Sequence, residues 1–451
     1  MRAAPFHLAF DLGATSWRAI LGRRTDEAFA IEEIHRERHA PREVDGGLFW
    51  DFEGILAGIT GVLREIARRG IVLASIGIDS WSVDYGLLDA RGDLLEPPRC
   101  YRDPRTEGMT AKLEARLGIR RLFERTWLLA EDITTLCQLM AASEATPLLL
   151  SKAHRLLFIP DLLRAHLCGV EATDFTLATT SQLYDPRADR WDPELAAVGG
   201  IDAGILPSVR HGHSVLGTLT PAMQAATGLG PVPVTIGASH DNAAAFMTQP
   251  MDDDSAILSS GTWSMLGVHL PAPVFPPGID SSRFGHEGNP DGSVRLLCNI
   301  PGMWILEQCR ASWARAGKET SYEALVQGAA ASDGSTGAID PYDPAFGLSP
   351  DMSRSVIEHC AKTGQRVPGT QFEIARAIFQ GLATCYARAR EELESFSGRR
   401  FKRIRVIGGG VRNELLNSLI ERKTGIEVVR GPAEATAIGN MMSQEKALAA
   451  S

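Results

Sequence analysis

Two stretches of the chain share one pattern of apolar and small residues. In each, an apolar run stops at a few small residues and then resumes as a second apolar run. The first covers residues 9–22 (AFDLGATSWRAILG) and the second covers residues 256–268 (AILSSGTWSMLGV). Short apolar runs bounded by turn-forming residues are typical of buried strands, so each stretch predicts two strands joined by a tight loop.

The regions after these two stretches repeat an order of strands and then helices. Residues 52–79 predict an amphipathic helix followed by a buried strand, and residues 83–98 predict a hairpin. Residues 401–442 predict strand, glycine turn, helix, strand, loop and helix in that order. Two halves that begin alike indicate a duplicated α/β domain with a cleft between the copies, divided near residues 241–250.

Composition narrows the class of protein without naming one. A chain of 451 residues is long enough for two domains. Its net charge of −9 excludes a phosphate-neutralising surface for nucleic acid, and no stretch reaches the ~20 apolar residues of a membrane span. The apolar N-terminal run is interrupted at Asp11, which argues against a secretory signal. Seven cysteines without a CxxC pair are typical of free thiols in a reducing cytoplasm. A monomer and a homodimer both remain open.

The two small-residue loops have the chemistry of a phosphate clamp. A Rossmann or P-loop site places its glycines before a helix, whereas here the chain resumes as a strand. Backbone amides and hydroxyls in such a loop can form a nest for phosphate oxygens, and Asp11 at the end of the first strand can hold Mg²⁺. Simple turns would use the same residues. The occurrence of two copies favours the phosphate clamp.

Several motifs resemble one family when they are taken together. Residues 11–16 (DLGATS) and 259–264 (SSGTWS) resemble the phosphate loops of the actin/hexokinase/Hsp70 ATPase superfamily. Residues 75–106, 238–245 (ASHDNAAA) and 431–440 (GPAEATAIGN) complete a pattern similar to the FGGY carbohydrate kinases, and to the rhamnulokinase group among them. The resemblance runs from Phe6 to about Gln444.

The resemblance implies a fold and a separate binding role for each half of the chain. The expected architecture is α/β, with two RNase H-like (actin-like ATPase) domains flanking a deep interdomain cleft. Residues 1–243 would bind the sugar and carry the first phosphate loop. Residues 244–451 would bind the nucleotide and carry the second loop.

Asp241 is the predicted catalytic residue. Its position before an alanine-rich run also fits a plain helix N-cap. By resemblance, however, this carboxylate is the general base that takes the proton from the sugar hydroxyl, which is the group that phosphoryl transfer to an alcohol requires. The flanking His240 and Asn242 would hydrogen-bond the sugar.

The sugar pocket is predicted around residues 79–84. Trp81 beside Asp84 suits a sugar, which presents both C–H surface and hydroxyls, although a core tryptophan with edge carboxylates is the alternative. By resemblance, Ser82 and Asn299 occupy substrate-contacting positions. Ser82 replaces the usual glycine, which makes the pocket floor bulkier.

The predicted nucleotide contacts come from four segments. Glycines between a strand and a helix let adenosine approach the backbone, although a plain glycine turn is again the alternative. Glu307 replaces a glutamine that the family associates with the nucleotide. The predicted residues are Ala14, Thr15, Ser16, Trp17, Arg18, Thr262, Glu307, Gly408, Gly409 and Gly410.

The resulting hypothesis is an ATP- and Mg²⁺-dependent kinase that converts a ketose, L-rhamnulose first, into its 1-phosphate. Another FGGY kinase, for L-fuculose or a different ketose, is the first alternative. A nucleotide-gated binding protein and an ATPase with protein clients are the alternatives from other classes. The pairing of Asp241 with Asp11 argues against the former, and the lack of residues for a client-binding domain argues against the latter.

Overall fold

A computed structural model describes residues 5–26, 28–332, 334–347 and 349–451. The strands are β1 Phe6–Leu12, β2 Ser16–Arg24, β3 Phe29–Arg38, β4 Arg42–Val44, β5 Gly47–Phe49, β6 Leu73–Ser80, β7 Tyr85–Leu88, β8 Arg155–Phe158, β9 Ala172–Asp174, β10 Tyr184–Asp185, β11 Arg190–Trp191, β12 Ser208–Arg210, β13 Ser214–Thr218, β14 Pro233–Ile236, β15 Ser255–Ser260, β16 Ser264–Leu270, β17 Phe284–Gly288, β18 Val294–Ile300, β19 Arg403–Ile407 and β20 Glu427–Arg430.

The helices follow the same chain order. They are α1 Phe52–Arg68, α2 Met109–Leu117, α3 Ile119–Thr126, α4 Thr135–Ala145, α5 Pro147–Leu150, α6 Ile159–Cys168, α7 Phe175–Ala178, α8 Pro193–Val198, α9 Pro221–Thr227, α10 Asp241–Phe246, α11 Trp304–Arg315, α12 Tyr322–Ala331, α13 Met352–Lys362, α14 Gln371–Ser397, α15 Glu414–Thr424 and α16 Ala435–Ala449. Among the residues described, no helix is long and apolar enough to cross a membrane.

Two six-stranded sheets organise the molecule, and they share a core pattern. The first has the order β13-β14-β6-β1-β2-β3 and the second has the order β17-β18-β16-β15-β19-β20. In each, the predicted hairpin supplies an antiparallel pair, a further antiparallel strand extends it on one side, and two parallel strands follow on the other. The duplicated α/β plan predicted from the sequence is therefore present in both halves.

Each sheet is covered by helices whose apolar faces form the core. In the first half, α1 begins at the capping carboxylate of Asp51 and buries Ile55, Ile59 and Leu63. In the second half, the long helix α14 begins with a capping box at Thr370 and Glu373. Its buried face joins the largest apolar cluster of that half, together with the strands of the second sheet.

The last helix, α16, crosses back onto the first sheet. Its Gln444 side chain donates to the carbonyl oxygen of Leu8 at 3.0 Å, and Met441 packs with residues of β1 and β2. It also crosses α10 in backbone contact, because a Cβ at Gly439 would lie 1.7 Å from the Ala244 carbonyl oxygen. The two halves are thus joined by a pair of closely packed helices.

Two details differ from the sequence-based expectation. The hairpin predicted at residues 83–98 forms its turn but only a single bridge, between Leu88 and Leu94, while β7 pairs along its length with β8. The division predicted between residues 243 and 244 falls inside α10. The seven cysteines are all free, and six of them are buried, as their spacing predicted.

Candidate functional site

The predicted catalytic residue, Asp241, and the predicted metal ligand, Asp11, lie near the carboxyl ends of three adjacent parallel strands. Asp11 of β1 stands in register with Asp79 of β6, and the segment after β14 bridges to Ser80 through His240. Residues 238–242, here called the catalytic loop, therefore lie beside Asp11 and Asp79. Ligands of open α/β sheets bind at such strand ends.

Three carboxylates crowd this edge. Burial raises the pKa of Asp79 well above its usual range, and the carboxylates of Asp11 and Asp241 raise it further. Asp79 Oδ2 accepts a hydrogen bond from Asn440, whereas its buried Oδ1 has no hydrogen-bond partner among the described residues. Carboxylates so close together favour a bound cation or a retained proton.

Asp241 has the environment of a base that works near neutral pH. Burial raises the pKa of Asp241 to about 6, His240 opposes the shift, and Asp11 and Glu287 add to it. Its side chain keeps 25% of its surface exposed, so an incoming hydroxyl can reach it. Its Oδ1 accepts hydrogen bonds from the backbone and side-chain nitrogens of Asn242, at 2.6 and 2.9 Å.

His240 links the catalytic loop to the second sheet. Its Nδ1 lies 3.2 Å from Glu287 Oε2 in β17, and its Nε2 lies 3.4 Å from Asp241 Oδ1. Burial alone would lower the pKa of His240, but the Glu287 carboxylate raises it above the usual value. Glu287 in turn accepts a hydrogen bond from the buried Arg295 at 2.8 Å. Burial opposes ionisation of Glu287, but His240 and Arg295 lower its pKa to about 2.

An aromatic wall stands beside the loop that joins β1 and β2. Trp50 and Trp81 pack with ring centroids 4.4 Å apart, and both indole nitrogens donate to Asp84 Oδ2, at 2.6 and 3.0 Å. Asp84 also accepts from the amide of Tyr101 and from the side chain of Gln138. With 1% of its surface exposed, Asp84 orders this wall and is not available for the direct sugar contact predicted from the sequence.

The backbone between Trp81 and Asp84 is strained. Val83 has a φ of 70°, a left-handed conformation that is unusual for a β-branched residue. Its carbonyl oxygen is held by the Thr135 hydroxyl of α4 at 2.8 Å. This contact fixes the turn that carries Ser82, which is partly exposed. Strain of this kind concentrates at functional sites, and it supports a binding role for the turn.

The loop between β1 and β2 is a tight turn. The Gly13 amide donates to the Ser16 carbonyl oxygen at 3.0 Å, and the His39 ring contacts the Gly13 carbonyl oxygen at 2.7 Å. Ala14 and Thr15 sit at its tip, partly or fully exposed. The Trp17 side chain, by contrast, is 1% exposed inside the core, so the predicted nucleotide contact is limited to its backbone.

Arg18 ties this loop to the second half of the chain. Its guanidinium donates to Asp11 and to Glu434, which lies directly before α16. Glu434 also accepts from Arg412 at 3.3 Å. An ionic chain therefore runs from Asp11 through Arg18 and Glu434 to Arg412. Both terminal nitrogens of the Arg18 guanidinium already have a carboxylate partner.

A cavity of about 1000 Å³ in the second half is lined by four of the ten predicted nucleotide residues. Thr262, Glu307, Gly409 and Gly410 line it, from three separate segments. Gly408, with a φ of +80°, makes the turn after β19, and a Cβ at Gly410 would lie 2.1 Å from Ser260 Oγ. Helices α11, α12 and α15 form the other walls. The space and the glycine backbone suit an adenosine moiety.

Asn299 lies in β18, opposite Met265 of β16. Tyr342 donates its hydroxyl proton to the Asn299 carbonyl oxygen at 2.6 Å, which fixes the strand. Asn299 Oδ1 is buried and has no partner among the residues that the structure covers. A buried amide oxygen without a partner lacks the hydrogen bond that such groups usually make.

Comparison with known proteins decides the family. The model of the FGGY family of carbohydrate kinases, N-terminal domain, matches residues 6–248, and that of the C-terminal domain matches residues 256–448. The chain belongs to the FGGY family of carbohydrate kinases. The family predicted from the sequence is confirmed, and this FGGY kinase is an ATP-dependent sugar phosphotransferase.

Curated relatives and solved structures place the kinase more closely. The rhamnulokinase of Bacteroides thetaiotaomicron is 39% identical over 437 residues, covering 97% of this chain and 89% of the relative. The rhamnulokinase of Oceanobacillus iheyensis is 32% identical over 442 residues, covering 98% and 93%. A ligand-bound xylulose kinase from Lactobacillus acidophilus has a TM-score of 0.81 at 16% identity, covering 99% of this chain and 90% of that one. A glycerol kinase from Plasmodium falciparum with ADP has a TM-score of 0.78 at 16% identity, covering 98% and 89%. These structures confirm the predicted actin-like α/β fold.

Sequence reasoning missed several residues that build the site of this FGGY kinase. Glu287 and Arg295 hold His240, while Trp50 and Gln138 hold Asp84. Glu287, Trp50 and Gln138 each lie at least 34 positions along the chain from the residue they hold. Arg295 acts on His240 through Glu287.

Proposed function

We propose that this kinase transfers the γ-phosphate of ATP to a ketose, L-rhamnulose first, giving the 1-phosphate, with Asp241 as general base. The observation that carries the proposal is the partly exposed Asp241 at the strand ends, with its pKa raised to about 6. The similarity to two rhamnulokinases supports the choice of sugar. The seven free thiols favour a reducing compartment, in keeping with the cytoplasm.

The mechanism follows from the groups around Asp241. The carboxylate accepts the proton of the attacking sugar hydroxyl as the oxygen approaches phosphorus. Asn242 and His240 hold Asp241 from two sides and offer hydrogen bonds to the neighbouring hydroxyls. Trp81 and the side-chain oxygen of Asn299 are proposed as the remaining contacts with the sugar.

The nucleotide side uses backbone and small residues. We place adenosine in the cavity lined by Gly409, Gly410 and Glu307. The phosphates then extend toward Thr262 in one loop and toward residues 14–16 in the other. Amides in tight loops of this kind bind phosphate oxygens.

The residues present fit a divalent cation. The Oδ1 atom of Asp79 has no hydrogen-bond partner among the described residues, and the carboxylates of Asp11, Asp79 and Asp241 repel one another. A positive charge at this edge would offset both. Among the described residues, no group of three or more His, Cys, Asp or Glu side chains forms a complete metal site. Mg²⁺ usually takes one or two carboxylates together with water and phosphate oxygens. Asp11 would hold the ion, which when bound neutralises phosphate charge.

A kinase for a different ketose, such as L-fuculose, is the second candidate. Ser82 favours it, because a hydroxymethyl side chain occupies the strained turn where the rhamnulokinase pattern has glycine. The added volume and hydroxyl would change which sugar hydroxyls fit beside Trp81.

The experiment is ADP release from Mg²⁺-ATP with L-rhamnulose, L-fuculose, L-ribulose, D-xylulose and glycerol, and with no sugar. We expect L-rhamnulose to give the highest kcat/KM. Preference for another ketose would keep the kinase chemistry and overturn the sugar assignment. The variant Ser82→Gly then tests the pocket floor, since it would shift preference toward L-rhamnulose. Lack of turnover with every sugar, despite ATP binding, would overturn the choice of ketoses as substrates.

A further inference from the structure

A short buried helix, α7, contacts the catalytic loop from behind. Asp174 caps this helix, with its Oδ1 accepting from the amides of Thr176 and Leu177, at 2.9 and 3.2 Å. Its second oxygen, Oδ2, accepts from the amide of Ser239 in the catalytic loop at 2.9 Å. One carboxylate thus fixes both the start of α7 and the backbone two residues before Asp241.

Thr176 makes the next contact along the loop. Its Oγ1 accepts from the amide of His240 at 3.1 Å, and its own hydroxyl proton is donated to Asp174 Oδ1 at 2.5 Å. The donors therefore run in one direction, from the His240 amide through Thr176 to the Asp174 carboxylate. Two consecutive backbone amides of the catalytic loop, those of Ser239 and His240, therefore donate to side chains at the N-terminus of α7.

The same helix reaches the second sheet. Thr179 Oγ1 accepts from the amide of Gly288 in β17 at 2.9 Å. Gly288 packs directly on Phe175, because a Cβ there would lie 2.4 Å from the Phe175 ring. The preceding residue, Glu287, is the partner of His240. Helix α7 and its flanks therefore hold both sides of the His240–Glu287 pair.

These side chains cannot act by touching substrate. Asp174 and Thr176 are 0% exposed and Thr179 is 1% exposed. Any effect on the reaction must pass through the backbone of the catalytic loop or of β17. A displacement of about 1 Å at a reacting group can cost ~100-fold in rate.

We propose that Asp174, Thr176 and Thr179 are positioning residues for phosphoryl transfer, which place the base Asp241 by holding the catalytic loop and β17 together. This inference rests on the proposed role of Asp241. In this inference, α7 keeps the catalytic loop of the first half in a fixed position relative to the second sheet.

The test compares Thr176→Val with a matched control, Thr180→Val. Thr180 is 3% exposed and donates its hydroxyl only within this region, to the Leu177 carbonyl oxygen at 2.8 Å. Both variants lose a buried hydroxyl at nearly the same place, but only Thr176→Val removes a hydrogen bond to the catalytic loop. We expect Thr176→Val to lower kcat about 10- to 100-fold. We expect KM for ATP to stay unchanged, Thr180→Val to retain kcat, and Thr176→Ser to restore most of the loss.

Equal kcat in Thr176→Val and Thr180→Val would overturn the inference. Should Thr176→Val not fold, Thr179→Val against the same control decides in its place, with the same outcomes.

The double variant Thr176→Val/Asp241→Asn separates this inference from the proposed function. If Thr176 acts through Asp241, the double variant loses no more than Asp241→Asn alone. Fully additive losses would show that Thr176 acts elsewhere. Retained turnover in Asp241→Asn alone would refute the base role itself, which is a different result from equality of the two valine variants.

Discussion

The two regions in which we propose that this FGGY kinase binds its substrates, the edge around Asp241 and the cavity of the second half, are built on opposite plans. Around Asp241 the charged groups are packed and partnered, as His240, Glu287 and Arg295 form a buried ionic chain. The nucleotide cavity instead offers about 1000 Å³ of space, with glycine backbone and partly exposed side chains. A reaction that depends on the position of a proton acceptor needs fixed partners, whereas a nucleotide can be bound by shape and backbone. We therefore expect substitutions at the catalytic edge to be far more costly than those in the cavity.

The largest effect is expected from Asp241→Asn. The amide keeps the shape of the side chain but cannot accept the proton, so kcat should fall about 10²- to 10⁴-fold. ATP binding, measured by calorimetry, should remain close to wild type because the cavity is untouched. Near-wild-type kcat would remove Asp241 from the base role.

Asp11→Ala should have the next largest effect. Loss of the carboxylate proposed to hold Mg²⁺, and release of Arg18 from its partner, should lower kcat/KM for Mg²⁺-ATP about 10- to 100-fold. The Mg²⁺ concentration for half-maximal rate should rise. Asp253→Ala is the control, because Asp253 is an 88% exposed carboxylate. An unchanged Mg²⁺ dependence would place the ion elsewhere.

The dependence of activity on pH should report the raised pKa of Asp241 directly. Because the pKa of Asp241 is raised to about 6, the base is ionised above that pH and protonated below it. The kcat/KM for the sugar should fall as pH drops through 6, by about tenfold per unit at the limit. Activity that is flat from pH 7 to pH 5, in a protein that circular dichroism shows to be folded, would contradict this environment.

The smallest effect is expected in the cavity, from Glu307→Gln. Glu307 pairs with Arg310 at 2.7 Å on the surface of α11, with 39% of its side chain exposed. Because such a pair is worth about 1 kcal/mol or less, KM for ATP should change less than about fivefold. A change as large as that of Asp11→Ala would break the contrast between the two regions.

The sequence was informative where structure depends on neighbouring residues. Both loops between paired strands follow from apolar runs broken by small residues, and the order of elements after Phe401 follows from periodicity and glycine position. The resemblance predicts Thr262 and Glu307 as nucleotide residues, the strand–glycine–helix pattern predicts Gly409 and Gly410, and all four line one cavity.

The sequence was uninformative where contacts join distant residues. Asp84 looked like a sugar ligand because nothing nearby in the chain shows that Trp50 and Gln138 would occupy its oxygens. The turn motif within residues 83–98 predicts that β7 pairs inside a hairpin, because such a motif reflects only neighbouring residues. The strand that pairs with β7 is instead β8, which starts 67 residues after β7 ends. Trp17 belongs to the same motif as the exposed loop residues. Side chains alternate between the two faces of β2, however, and the side chain of Trp17 points into the core.

Helix α16 also sets an order in time. The strands β1, β6, β13 and β14 are complete by residue 236, yet the helix that packs against them spans Ala435–Ala449. During synthesis on the ribosome, this face of the first sheet therefore lacks its covering helix until residues 435–449 have been made. The packing of the first half is thus completed only after the strands of the second sheet have been synthesised.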